Sequence, residues 1–146
     1  MHLAQVNISR LIEPIDSPLL ADFVAQLDQI NALAEQSKGF VWRLKDDNND
    51  ATALRVFDDE MIIINMSVWE SVEDLKNFAF KTAHVGVMKD RNKWFEKPQT
   101  AALALWWISE GQTPTPQEAK ERLASIDKSG TSAYAFTFRD VFLPSL

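Results

Sequence analysis

Met61-Ile62-Ile63-Ile64-Asn65-Met66-Ser67-Val68-Trp69 is a strand written as an alternation, and a helix start follows it at Ser71. Ile62, Ile64, Met66 and Val68 take one face, while Ile63, Asn65, Ser67 and Trp69 take the other. That is the period of two that a half-buried strand requires. Ser71 offers a cap oxygen, with Asp74 three residues on, close to a reciprocal capping box. Leu75, Phe78 and Ala79 then fall on one buried helical stripe.

Working outward, Leu3 to Ile12 repeats the alternation, with Ala4, Val6 and Ile8 opposed to Gln5, Asn7 and Ser9. Asp16-Ser17-Pro18 opens a helix, with an oxygen-bearing cap and proline in the first turn. Leu20, Phe23, Val24, Leu27, Ile30 and Ala34 recur at helical spacing, and Gly39 supplies a left-handed stop. Phe40 to Leu44 and Ala51 to Phe57 read as two strands of a hairpin around the polar turn 46–50. Downstream come a helical segment from about His84 to Phe95 and a strand from Ala101 to Ile108. Thr115-Pro116-Gln117-Glu118 opens a last helix that Gly130 closes. Phe136 to Phe138 is either a short terminal strand or a tail crossing a partner.

This order of elements is that of a split βαβ plan, an α+β class in which a ferredoxin-like antiparallel sheet carries its helices on one face. Residues 1–146 form one domain, with no repeat or flexible linker. The second sheet face carries tryptophan and large aliphatics, an apolar patch that needs a cover. Two chains packing those faces together into a dimeric α+β barrel is the expected solution, so the expected partner is a second copy. A third layer built from the C-terminal segment is the alternative.

Composition narrows the function by exclusion. The chain of 146 residues is 46% hydrophobic and 25% charged, as a globular domain is. It has no cysteine, which excludes disulfides and thiolate metal sites and fits the reducing cytoplasm. Met1 to Gln5 shows no basic region leading into an apolar core, so no signal peptide is expected. No apolar run approaches a membrane span, and the net charge of −6 disfavours nucleic acid. The four glycines are isolated, so no phosphate-cradling loop is present, and there is no Gly-x-Ser-x-Gly elbow.

Three groups of residues are candidates for chemistry. Asn7 and Asn65 sit at strand centres, with Gln5, Ser9 and Ser67 on the same faces; they mark either a wet polar cavity or a solvated sheet face. His84, Met88, Arg91 and Phe95 follow one another at spacings of four, three and four, on one face of a continuous helix. Arg91 offers a fork for an anionic group, and His84 a general base; each is otherwise a structural residue, Arg91 pairing with Asp90 or Glu96. Five tryptophans, Trp42, Trp69, Trp94, Trp106 and Trp107, either line a pocket for a flat ligand or fill core and interface. Trp106 and Trp107 are adjacent, so at most one of them faces a given pocket. No repeated histidine and carboxylate spacing marks a metal site.

The stretch Ile64 to Phe78 is similar to the strand-to-helix signature of antibiotic-biosynthesis-monooxygenase-like dimeric barrels. Over nearly its whole length the chain resembles a bacterial family in that superfamily known only as a domain of unknown function (3291). The residues that carry this are Leu3-Ala4-Gln5-Val6-Asn7, Gly39-Phe40-Val41-Trp42-Arg43, Val68-Trp69-Glu70-Ser71, Ala83-His84, Arg91 with Trp94-Phe95, Leu105-Trp106-Trp107, Glu118 to Leu123 and Ala135 to Phe138. The resemblance implies a homodimer and a small-molecule pocket. Asn7, Trp69, Phe78, Arg91 and Trp106 are its binding candidates, and His84 and Asn65 its catalytic ones. It implies three readings: a cofactor-free monooxygenase acting on a flat aromatic or polyketide-like molecule, a haem protein, or a non-catalytic ligand-binding or structural dimer. The haem branch uses a first-strand asparagine, a second-helix tryptophan and a later histidine as axial ligand. Asn7 and His84 match that pattern in kind. Phe78 stands where the tryptophan would be, about one helical turn too close to His84.

Overall fold

The computed structural model describes residues 1–45, 56–81 and 90–144. Four strands, β1 (His2–Arg10), β2 (Phe40–Arg43), β3 (Ile62–Trp69) and β4 (Leu103–Ile108), form one antiparallel sheet in the order β2-β3-β1-β4. Helix α1 (Ala21–Gln36) follows a 3-10 turn at Pro18–Leu20, α2 (Val72–Lys81) follows β3, and α3 (Pro116–Ser129) follows β4. Residues 90–94 are also helical. This is the ferredoxin-like strand order, with β1 and β3 central because they carry the longest alternating runs.

The local signals act as their chemistry predicts. Ser71 Oγ accepts from the Asp74 N–H at 3.1 Å and caps α2. At α3, Thr115 Oγ1 accepts from the Glu118 N–H at 3.1 Å, and Glu118 Oε1 accepts from the Thr115 N–H at 3.2 Å. Gly39 holds φ at +83°, and any β-carbon there would collide with the Asp74 side chain. Ser17 departs from expectation: its side chain makes no cap bond, because the 3-10 turn intervenes before α1.

The register fixes what each face carries. Leu3 lies opposite Trp69, Gln5 opposite Ser67, Asn7 opposite Asn65 and Ser9 opposite Ile63. Helices α1 and α2 cover this face; Leu3, Trp69 and Leu105 pack there against Ala34, Leu75 and Phe78. Farther along the face, Phe23 of α1 packs with Leu11, Trp94 and Phe95. The opposite face carries Ala4, Val6, Met66, Val68, Ala104 and Trp106, and α3 lies on it through Ala119 and Leu123.

Phe40–Arg43 pairs with β3; of its expected hairpin partner, Val56 and Phe57 are not in a strand, and 51–55 lie outside the described residues. The helices are not confined to one face, because α3 forms a third layer. The apolar face that called for a second chain is therefore covered from within: Val6, Val68 and Trp106 are all fully buried in the single chain. Phe136 pairs with Leu105 of its own chain through two backbone hydrogen bonds, 2.7 and 2.9 Å, so this tail stays at home.

Candidate functional site

A cavity of about 200 Å³ lies between the polar-bearing face of the sheet and helices α1 and α2. Its floor is the run of cross-strand pairs from Trp69 to Asn7, and its walls are apolar, aliphatic side chains such as Leu27, Ile30 and Leu75 alternating with aromatic ones. Phe23 comes from α1, Phe78 from α2, Phe40 from β2, Phe95 from the segment after residues 90–94, and Phe138 from the C-terminal tail. The rings brace one another. Trp69 stacks on Phe78 with centroids 5.3 Å apart and meets Phe40 edge-on at 5.5 Å; Phe23 meets Phe95 edge-on at 5.0 Å.

The floor is a connected polar network. Gln5 Nε2 donates to Asn65 Oδ1 at 2.7 Å and to Ser67 Oγ at 2.8 Å, and Trp69 Nε1 donates to the same Ser67 Oγ at 2.8 Å. Gln5 and Ser67 are only 4% and 6% exposed, so these bonds are what make burying an amide and a hydroxyl tolerable. Exposure rises along the strands: Trp69 is fully buried, Asn7 is half-buried and Asn65 is exposed. With its oxygen engaged by Gln5, the Asn65 amide keeps its NH₂ for whatever enters the cavity.

Among the described residues, two cations reach the cavity. Arg43 is 7% exposed, and its Nε donates to Glu35 Oε1 at 3.1 Å. Arg91 is half-buried in the wall. The two carboxylates adjacent in sequence are taken by others: Asp90 pairs with Lys93 at 3.3 Å, and Glu96 pairs with Arg10. Arg91 makes no ion pair with any described residue.

Of the residues expected to form a site, Asn7, Asn65, Trp69, Phe78 and Arg91 all line this one cavity. Trp106 does not. Its partner across the ladder is Ala4, so it belongs to the opposite face, fully buried, with the Arg122 guanidinium over its ring at 5.5 Å. His84, like Met88, lies outside the described residues. Asn31, Arg43 and Phe138 line the cavity and were not singled out from sequence. Asn31 did leave a trace: it sits four residues after Leu27, an amide breaking the apolar stripe of α1. Among the described residues no cluster of His, Cys, Asp and Glu could hold a metal ion. No helix among them is long and apolar enough to cross a membrane.

The family model described as domain of unknown function DUF3291 matches residues 2–146. The chain belongs to this family. No curated protein matches it by sequence. Among solved structures, this DUF3291 chain is similar to Rv0793 from Mycobacterium tuberculosis at 10% identity and a TM-score of 0.53, over 77% of this chain and 100% of that one. It is also similar to NE2512, a protein of unknown function from Nitrosomonas europaea, at 13% identity and a TM-score of 0.50, over 78% and 95% of the two chains. At these identities the likeness concerns the fold.

Proposed function

We propose that this DUF3291 protein binds a compact, flat, largely apolar small molecule between its sheet and helices α1 and α2. The observation that carries the reading is the cavity itself, apolar in its walls and hydrogen-bonding in its floor. Apolar walls with a few convergent polar groups are the usual make-up of a ligand pocket. An amide such as Asn65, left accessible at the centre of a central strand, has a use if a ligand rests on it. Size sets the class of ligand. An engineered cavity of about 150 Å³ admits benzene. About 200 Å³ therefore suits one or two fused rings. Haem, a four-pyrrole macrocycle, is too large for that space as its described walls stand.

Within this reading, the resemblance to cofactor-free monooxygenases supplies a chemistry. The floor would position an electron-rich hydroxyaromatic through Asn65 and Asn7 while Trp69 and Phe78 stack on its ring, and the activated substrate itself would react with oxygen. The alternative is a pocket that binds without turnover. Both are tested with a panel of one- and two-ring hydroxyaromatics, first by tryptophan quenching and then by oxygen uptake. Saturable binding that Asn65→Leu weakens at least about tenfold, one good hydrogen bond to an otherwise desolvated group, is the expected result. Oxygen uptake above the protein-free blank selects the enzyme, and its absence selects the binding protein. If no member of the panel binds, the pocket reading is wrong. A haemin titration is expected to stay flat; a Soret shift at one haem per chain, lost in His84→Ala, would move the assignment to haem binding.

A further inference from the structure

The cavity has a sign. The sequence carries 21 acidic residues against 15 lysines and arginines, for a net charge of −6. Yet no aspartate or glutamate is among the described residues that line the cavity, and both charged residues there are arginines. They are not equivalent. Arg43 has Glu35 beside it, so its charge is largely answered within the protein. Arg91 has no such partner among the described residues, where Lys93 holds Asp90 and Arg10 holds Glu96.

A half-buried guanidinium is costly unless its hydrogen-bonding and charge are met. In a chain this acidic, a carboxylate partner within the protein would have been easy to supply. Without one among the described residues, Arg91 keeps its fork at the cavity wall for a group that arrives from outside. Resting on the pocket reading above, we propose that the ligand is an anion: a one- or two-ring aromatic bearing an oxygen anion, with a carboxylate the best match. The guanidinium presents parallel N–H groups at the spacing of two carboxylate oxygens, which lysine cannot do. The ring lies against Trp69 and Phe78. The Asn65 amide, whose free NH₂ donates, serves a second oxygen on the ring or the far side of the same anion.

The assignment separates cleanly from the pocket reading in calorimetric titrations of the full chain with 2-naphthoate and with 2-naphthamide, which share a shape and differ in charge. At pH 7 the carboxylate binds at least about tenfold more tightly than the amide, and added salt narrows the gap. In Arg91→Gln the preference falls to about twofold or less, and Arg91→Lys, with a charge but no fork, falls between. Equal affinity of the two probes for the wild-type chain would overturn the anion and leave the pocket standing. A carboxylate preference that survives in a folded Arg91→Gln would overturn the role of Arg91. Binding of neither probe would remove the pocket, and the anion with it. The wild-type comparison decides the main point even if a variant fails to fold.

Discussion

Gln5 is the residue on which the cavity floor depends. Its single NH₂ group satisfies both Asn65 and Ser67, and Ser67 in turn holds the Trp69 indole. Gln5→Leu would remove both donated bonds from the floor, and a loss of about 1 to 3 kcal/mol of stability is expected in urea denaturation, together with weaker ligand binding. The alternation of β1 made this residue's face legible in advance. Its partners were not legible, because register depends on which strands pair, and the alternation within β1 does not say that β3 lies beside it. A second prediction concerns Arg10, which donates from Nε to Asp59 Oδ2 at 2.7 Å and also reaches Glu96. The Arg10 guanidinium, helped by the Met61 N–H at 2.8 Å, holds the Asp59 carboxyl below its ordinary value. A lowered folded-state value stabilises the native state above the unfolded value, about 3.9 for aspartate, and that contribution is lost as pH falls through the folded value. The stability gap between the wild type and Asp59→Asn should therefore shrink as pH is lowered from 5 into this range, read by denaturation at each pH. The pair is exposed, so the gap should also shrink in high salt.

At the scale of elements, the ends of helices were the most readable features. Thr115, Pro116 and Glu118 carry their capping chemistry within four residues, so no distant contact is needed to find them. Gly39 is different: its positive φ was foreseeable, but its closeness to Asp74 joins the end of α1 to the first turn of α2 and appears only in three dimensions. Gly39→Ala is expected to cost about 1 to 3 kcal/mol, through backbone strain and the displaced Asp74 side chain, visible as a lowered Tm. Gly111→Ala should suffer the strain alone, since nothing lies within 4 Å of a β-carbon there. Equal losses at both glycines would contradict the role given to Asp74.

The whole molecule is a sheet with two differently used faces. One takes α1 and α2 and encloses the cavity; the other is sealed by α3 and the core around Trp106. Sequence showed that this second face was apolar and needed a cover, but amphipathic patterns do not say which surface answers which. The C-terminal helix answers it, as the alternative of a third layer had it. Leu123→Asp places a charge between α3 and the sheet and should release the helix. Severe destabilisation and self-association through the uncovered face are expected, measured by light scattering behind size exclusion. A stable variant of unchanged mass would mean that α3 is not what hides this face.

If the proposed ligand enters on the α1/α2 side, nothing beyond the sheet should feel it. Chemical-shift titration of ¹⁵N-labelled protein with 2-naphthoate, following the indole and side-chain amide signals, tests it directly. Saturable shifts of the Trp69 indole and the Asn65 amide, with the Trp106 indole unmoved, are what this account predicts. No saturable shift, or a shift centred on Trp106, would contradict it.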